Sequence, residues 1–384
     1  MTGQQVKAVT IESVSSMADV DAGEWNALLG SRYPFLRHEF LHALEVSGAV
    51  SEQTGWIPAH LVACRDGQLV AAMPLYEKHH SRGEYVFDYQ WADAWERAGG
   101  RYYPKLLSAV PFSPVTGPRI LASDAACAQQ LIEVVTASVL QHGLSGAHLL
   151  FPQSTFDQQL EESGWLLRLG CQYHWHNRGY HCFEDFLAVC TSRKRKNFRK
   201  ERAQVTAQGI SFRAFRGEEV DERLWRQFFT FYAATYLKRG QRPYLSLAFF
   251  LQLAEHMAES IRLVVAYAEE QEVAAAFFLT GGNTLYGRYW GCLDEYDKLH
   301  FETCFYQGID LCIAEGLAHF DAGAQGEHKL IRGFEPQLTS SWHLLQPGLH
   351  EAVEEFLLQE RAAIHRYYAD ALSYLPYRNE DSSE

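Results

Sequence analysis

The stretches VACRDGQLVAAMPL, residues 62–75, and VVAYAEEQEVAAAFFL, residues 264–279, carry one pattern twice. Laying Val62 on Val265, an offset of 265 − 62 = 203, also superposes Ala63 on Ala266, Gln68 on Gln271, Val70 on Val273, Ala71 on Ala274 and Ala72 on Ala275 without a gap. Each copy reads as two short β-rich runs about a turn, which in the first is the hairpin dipeptide Asp66-Gly67. Such a repeat constrains the fold strongly. Two copies of one pattern favour the same strand register, since a slip of one residue would turn each apolar face to water.

The surroundings repeat too. Helical stretches precede each hairpin: PFLRHEFLHALEVSG (34–48) in the first half, and RLWRQFFTFYAATYLKRG with SLAFFLQLAEHM in the second. An aromatic-rich segment read as a strand follows each, GEYVFDYQWADAW (83–95) and NTLYGRYWGCLDEY (283–296). Then comes a helical segment, YYPKLLSAV or HFETCFYQGIDLCIAEGL, the latter with Phe301, Phe305, Ile309 and Cys312 on one stripe. Helix, helix, hairpin, strand, helix, strand is the order of an acetyltransferase-type mixed sheet. The expected fold is therefore α/β, with tandem duplicated acetyltransferase-like (GNAT-type) mixed-sheet domains. We expect a first domain over 1–180, a second over 181–347, a C-terminal helix over 348–375 and a disordered tail over 376–384.

A formal net charge of −13 argues against general DNA binding, because phosphate contacts need a surplus of Lys and Arg. Eight cysteines without a C-x-x-C pair read as reduced thiols, the start of the chain does not read as a secretory signal, and no apolar run reaches the ~18 residues of a membrane helix. A cytoplasmic protein without an integral membrane segment is expected. The oligomeric state stays open.

One local basic patch stands out, SRKRKNFRKER (192–202). Thr191 or Ser192 can cap a helix carrying Arg193, Lys194, Arg195, Lys196, Arg199, Lys200 and Arg202, with Glu201 as its only acid. At 100° per residue these charges cover most of the circumference, so they cannot all lie on one solvated face. Arg193, Arg195, Lys196, Arg199 and Lys200 read as a phosphate clamp; the bland alternative is a solvated helix balanced by nearby acids.

A second concentration of charge is GAQGEHKLIRGFEP (323–336), at the end of the short strand in AEGLAHFDAG. Strand-end loops are a common seat of chemistry in α/β proteins. Glu327, His328 and, from the helix opening LHFET, His300 are candidate proton acceptors, with Lys329 and Arg332 binding a phosphate or carboxylate. Tyr289 and Tyr306 are candidate leaving-group acids, though each singly reads better as core. Glu302 is a substrate-binding candidate that helix-dipole chemistry explains as well. In HWHNRGY, His174 and His176 alternate on one strand face. No third ligand is spaced to complete a metal site, so no metal is expected, and His176 and Arg178 read as substrate contacts or packing. Asp88 and Trp91 of FDYQWADAW are candidates for orienting an amine or peptide, or for an aromatic core. Between LYGRYWGCL and the next helix an acyl-CoA enzyme would carry a glycine-rich phosphate loop; DEYDKLHFET has no glycine.

The segments YVFDYQWADAWERAGGRYYPKLL, VPFSPVTGPRIL, HWHNRGY, SRKRKNFRKER, LYGRYWGC, HFETCFYQG and GAQGEHKLIRGFEP resemble the Fem-like N-acyltransferases, bacterial proteins described as peptidoglycan biosynthesis or recognition proteins. The likeness covers nearly the whole chain. That group is distantly similar to the Fem aminoacyl-tRNA-dependent transferases, which have two acetyltransferase-like domains and add amino acids to peptidoglycan precursors. The resemblance implies a first-domain strand at GPRIL, a basic acceptor-side loop at HKLIRGF, and amide formation on a small-molecule or peptide amine. The first domain would then serve the acceptor and the second the donor. Residue reading adds that the strand GRYWG could offer a backbone N–H to an oxyanion, with Gly287 and Gly291 allowing close approach. No tightly bound cofactor is expected; the co-substrate is aminoacyl-tRNA or acyl-CoA, the missing glycine loop favouring the tRNA. The rivals are a CoA-dependent N-acyltransferase and a non-catalytic module binding RNA or a cell-wall precursor.

Overall fold

The computed structural model describes residues 8–324 and 326–378. Contacts divide the chain into two compact units, one of residues 1–170 with 339–364 and one of 171–338 with 365–384. Each unit is thus discontinuous, and the division falls at 170/171 where the sequence suggested 180/181.

The first unit contains β1 (Thr10–Val14), α1 (Ala22–Leu29), α2 (His38–Val46), β2 (Trp56–Pro58), β3 (His60–Arg65), β4 (Gln68–Met73) and β5 (Tyr76–Lys78). It continues with α3 (Tyr89–Arg97), β6 (Lys105–Ser108), β7 (Leu121–Ala122), α4 (Ala125–Gln141), β8 (Gly146–Leu150) and α5 (Asp157–Glu162). Strand β9 (Leu166–His176) leads into the second unit, with α6 (Phe183–Ala188), α7 (Ser192–Ala207), β10 (Ile210–Arg216), α8 (Glu222–Leu237) and α9 (Leu247–His256). Next come β11 (Ile261–Ala268), β12 (Gln271–Gly281), β13 (Thr284–Cys292), α10 (Leu299–Phe301), a π-helical turn (Glu302–Tyr306), α11 (Gln307–Ala314) and β14 (His319–Asp321). The chain closes with β15 (Glu335–Leu345) and α12 (Pro347–Leu372).

The repeat is an identity of register. In the first unit β3 pairs with β4 as Leu61↔Met73, Val62↔Ala72 and Ala63↔Ala71, then shifts to Cys64↔Leu69 and Arg65↔Gln68. In the second, β11 pairs with β12 as Val264↔Ala276, Val265↔Ala275 and Ala266↔Ala274, then shifts to Tyr267↔Glu272 and Ala268↔Gln271. Adding 203 to the first set gives the second, bulge included. The turns match as well: Asp66 (φ 56°) and Glu269 (φ 56°) both take the left-handed conformation that a tight hairpin requires. β1 pairs antiparallel with β3, as β10 does with β11.

In the first unit β4 continues to β7, while β2, β5, β6 and β8 form a second run in which β6 and β8 are parallel. Residues Ser341–Leu345 of β15 lie antiparallel on β8. Helix α4, capped by the Asp124 carboxylate on Cys127 N–H, turns Leu131, Ile132, Val135 and Val139 onto Leu61, Ala63, Leu149 and Trp342. Each such side chain stabilises by about 1.5–3 kcal/mol. In the second unit the order is β10-β11-β12-β13-β14-β9. Trp225, Phe228 and Phe250 of α8 and α9 pack rings against Phe277, while α11 sets Ile309 and Cys312 in a core with Phe278, Leu285 and Phe320.

Two expectations are overturned. Residues 83–95 are not a strand but a loop and helix α3, because Trp91, Ala92 and Trp95 sit at helical spacing and pack on Tyr102, Leu349 and Val353. YYPKLLSAV is not a helix: its Lys105–Ser108 is strand β6, paired on both edges and buried at every position, as a strand covered on both faces is. Of the expected disordered tail, residues 379–384 lie outside the described residues. Pro376, Tyr377 and Arg378 are held instead, through Thr191 N–H to Pro376 O (2.8 Å), Tyr377 Oη to Gly333 O (2.6 Å) and Arg378 N–H to Val189 O (3.0 Å).

Gly291 on β13 shows why glycine is needed: a Cβ there would lie 1.9 Å from the carbonyl oxygen of Phe231 on α8. Gly291→Ala should therefore push α8 off the sheet and cost about 3 kcal/mol in urea unfolding, whereas Gly67→Ala, whose Cβ meets nothing within 4 Å, should cost only the smaller left-handed-turn penalty.

Candidate functional site

β13 and β14 run parallel for three paired positions, Thr284↔His319, Leu285↔Phe320 and Tyr286↔Asp321, and the pairing ends there. Just beyond, β13 bulges: Phe277 faces Tyr289 and Phe278 faces Gly287, leaving Arg288 as the extra residue. Arg288 reaches across to Asp321 in a 2.6 Å ion pair, with side-chain exposures of only 2% and 3%. Burial alone would raise the Asp321 carboxyl, but the Arg288 guanidinium prevails and holds it well below its ordinary range. Asp321 Oδ1 also accepts from Gly323 N–H (2.8 Å), starting the charged loop.

That loop is a tight 3₁₀ turn over Glu327–Arg332, ended by Gly333 in the left-handed region at φ 89°. The turn drives Lys329 and Arg332 inward, to 2% and 4% exposure, where the sequence suggested side chains open to a phosphate or carboxylate. Lys329 Nζ donates to Gly323 O at 2.5 Å, and burial lowers this lysine to about 8. Arg332 Nη2 donates to both carboxylate oxygens of Glu201 (2.8 and 2.9 Å), Nη1 donates to His328 O (2.9 Å), and the guanidinium lies 3.6 Å over the Phe301 ring. Glu201 also accepts the Tyr306 hydroxyl. Arg332 is thus an anchored structural cation, and removing it would strand Glu201.

His300 joins the same place, its ring 5.0 Å from Trp290, 5.5 Å from Phe305 and 6.4 Å from His328. Burial, reinforced by His328, Lys329 and Arg332, lowers His300 to about 4, and His328 is lowered by the same kind of surroundings. Two imidazoles kept neutral thus stand beside a lysine lowered to about 8. Glu327 stands outside, exposed, accepting from Tyr367 Oη at 2.8 Å.

Other predicted residues go elsewhere. Tyr289 packs with Tyr232, Phe250 and Phe277 on the α8–α9 face, opposite to Trp290 and His300. Glu302 is buried with Arg202 (3.0 Å) and Gln307 (2.8 Å), and burial raises its carboxyl. His176 Nδ1 meets His319 Nδ1 at 3.0 Å, and Arg178 pairs with Glu335 at 2.6 Å. Gly287 packs under Phe278 and Phe320 and Gly291 under α8, so at both positions the protein itself fills the space a side chain would take. Asp88 and Trp91 belong to the first unit, both buried: Asp88 is engaged by Lys105 Nζ (2.5 Å) and Tyr102 Oη (2.7 Å), and Trp91 lies between Arg168 and His343.

Helix α7 divides its charges. Arg193, Lys196 and Lys200 are exposed on one face. Arg195 donates to Cys190 O (3.0 Å), Arg199 pairs with Glu184 (2.5 Å), and Arg202 bridges Glu302 and Asp310 (3.0 and 2.6 Å). Arg195 and Arg199, expected in a phosphate clamp, are therefore already engaged. Sequence reading missed Arg288 and Asp321 altogether. Among the described residues there is no cluster of three metal-ligating side chains and no helix long and apolar enough to cross a membrane.

The sequence model of the FemAB-like family, described as peptidoglycan biosynthesis/recognition, matches residues 16–379. Curated protein sequences gave no match. Among solved structures the chain is similar to FemX, at 11% identity and TM-score 0.53, covering 87% of this chain and 98% of that one. It is similar to L-PGS from Bacillus licheniformis, at 10% identity and TM-score 0.52, covering 92% and 98%. It is also similar to a C-terminal domain assigned to a lysylphosphatidylglycerol synthetase of Agrobacterium fabrum, at 10% identity and TM-score 0.53, covering 88% and 96%. At these identities the likeness is one of fold.

Lys329 gives a sign that can be checked. Its folded value near 8 lies below the ordinary 10.5, so between those two values the unfolded chain binds more protons and stability rises with pH. The burial cost is fully present below about 8. Lys329→Met should thus melt higher than the parent at pH 7, and the gap should close as pH is raised from 8 towards 10.5 in a series of thermal melts.

Proposed function

Since the chain belongs to the FemAB-like family and is an acyltransferase, we propose that it forms an amide on an amine acceptor using an aminoacyl-tRNA as activated donor. The observation that carries this reading is the charge at the β13–α10 turn. A CoA pyrophosphate is held by a compact nest of backbone N–H groups, but this turn offers Asp294, Glu295 and Asp297 and no glycine after Gly291. Helix α7, by contrast, presents Arg193, Lys196 and Lys200 at i, i+3 and i+7 on one exposed face, with no ion-pair partner among the described residues. Separated cations suit phosphates strung along a nucleic-acid backbone. The family's description supports an acceptor of the peptidoglycan-precursor kind, carrying a primary amine.

Lys329, which burial lowers to about 8, is the proton carrier in this reading. Its neutral amine takes a proton from the acceptor ammonium, and the freed nitrogen attacks the ester carbonyl carbon. A C–N bond forms and the carbonyl electrons move to oxygen. On collapse the ester C–O bond breaks, the departing ribose hydroxyl takes its proton from the Lys329 ammonium, and the second proton of the new amide nitrogen passes to the Lys329 amine so regenerated and from there to solvent. His300 and His328, both kept neutral, do not compete for that proton, and the Arg332–Glu201–Tyr306 contacts fix the turn that carries Lys329.

Lys329→Met should lower turnover by ~10²-fold or more while leaving the fold intact, and Lys329→Arg should not restore it. Aminoacyl-tRNA binding should weaken steeply with salt, and the triple change of Arg193, Lys196 and Lys200 to Ala should flatten that slope, measured by filter binding from 50 to 300 mM salt, with slope near ~0.9 per phosphate contact. Tight, nearly salt-independent binding of acetyl-CoA with no tRNA binding at low salt would sink the donor assignment.

A further inference from the structure

The first unit holds a second concentration of ionisable groups, which the transferase chemistry does not use. On one face of its sheet, Lys78 is the register partner of Lys105, and two positions along, Leu107, His148 and His343 lie in one row across β6, β8 and β15. All four basic side chains are buried, Lys78 and Lys105 completely. Residues 81–101, a loop followed by α3, cover this face and set two acids against it. Lys105 Nζ donates to three oxygens of this cover: Ser81 Oγ (2.8 Å), Glu84 Oε2 (2.7 Å) and Asp88 Oδ2 (2.5 Å). Lys78 Nζ lies 3.8 Å over the Trp56 ring with only long contacts to His80 Nδ1 (3.4 Å) and Arg82 O (3.5 Å), and Glu84 Oε1 at 4.0 Å is too far for a hydrogen bond.

The match is incomplete. Glu84 Oε1, Asp88 Oδ1 and His148 Nε2 are buried without a hydrogen-bond partner among the described residues. His343 Nε2 meets Ser341 Oγ at 2.9 Å and its Nδ1 meets His148 Nδ1 at 2.7 Å; with Ser341 as donor, the chain of tautomers leaves His148 Nε2 as an N–H aimed at nothing. Burial raises Glu84 to about 7 and lowers Lys78 to about 7, so their mutual attraction is weak at neutral pH. A buried polar layer satisfied only in part is worse for stability than an apolar one, and such departures from good packing concentrate at functional places.

We propose that Lys78, Lys105 and His148 form a binding floor for a small anion bearing carboxylate or phosphate groups, occupied in this closed form by Glu84 and Asp88 of the covering segment. The bases stand on paired strands, which hold their positions. The acids stand on a segment with left-handed residues at Gly83 (φ 83°), Tyr85 (φ 64°) and Gly99 (φ 88°), and with Phe87 and Tyr89 exposed on its outer side. Opening exchanges two internal carboxylates for the oxygens of the ligand, which then also meet Lys78 and, in the tautomer set by Ser341 as donor, the N–H of His148. No bond is made or broken.

Hydrogen exchange on the full chain tests this, with inorganic pyrophosphate and glutarate as separate probes. Saturation with at least one should speed amide exchange across residues 81–101; a response to pyrophosphate alone identifies a phosphate floor, to glutarate alone a carboxylate one. The Glu84→Gln, Asp88→Asn double variant should bind the active probe at least ~10-fold tighter by calorimetry, because weakening the internal competitor raises the open fraction. Unchanged exchange over 81–101 with both probes, or changes confined to α7, would overturn the proposal. Should the double variant fail to fold, exchange on the parent protein decides alone. Neither tRNA nor transfer activity enters, so this result and the donor assignment stand or fall separately.

Discussion

The second unit is organised around the ion pair between Arg288 and Asp321. It sits where two parallel strands stop pairing, a place that would otherwise leave a bulged backbone and a strand end without partners. Through Asp321 Oδ1 it sets Gly323, and through Gly323 O it sets the ammonium of Lys329. Removing one partner of so buried a pair leaves an uncompensated charge, a loss of about 3–5 kcal/mol in comparable cases. The placement of Lys329 is therefore tied to the stability of the strands beneath it, and the two cannot vary independently.

Much of this was legible in the sequence, and the limits are physical ones. The paired hairpins could be read because register follows from alternation, and Ala63 and Ala266 even mark the bulge in both copies. The strand-end position of Lys329 and Arg332 could be read from AEGLAHFDAG and its glycines. That both turn inward could not, because a 3₁₀ turn ended by Gly333 points side chains by backbone geometry that charge patterning conceals. Residues 83–95 misled because aromatic residues favour strands as well as cores, and the helical spacing of Trp91 and Trp95 was the better signal. Arg288 left no local signal, since a bulge arises from pairing with another strand.

Helix α7 shows how a sequence with too much charge for one face can still fold. The circumference is shared between solvent, a neighbouring carbonyl, acids on α6, α11 and the π-turn, and a core that takes Phe198 and Val205. Its one acid, Glu201, faces inward and holds the loop through Arg332. A segment that looks like a surface ligand clamp is thus half a structural strut, and a substitution along it acts on binding or on stability according to the side it touches.

The π-helical turn at Glu302–Tyr306 has a further meaning. A π-turn accommodates one residue more than the α-helix around it, which rotates the helical turn before it by about 100° relative to the turns after it. Of the stripe Phe301, Phe305, Ile309 and Cys312, the last three are buried, while the half-buried Phe301 stacks on Phe305 at 6.0 Å and carries the Arg332 guanidinium on its ring. With this insertion the helix keeps its seat on the sheet while its first turn also reaches the charged loop through Phe301. A relative without the π-turn would present His300 and Phe301 to a different neighbour.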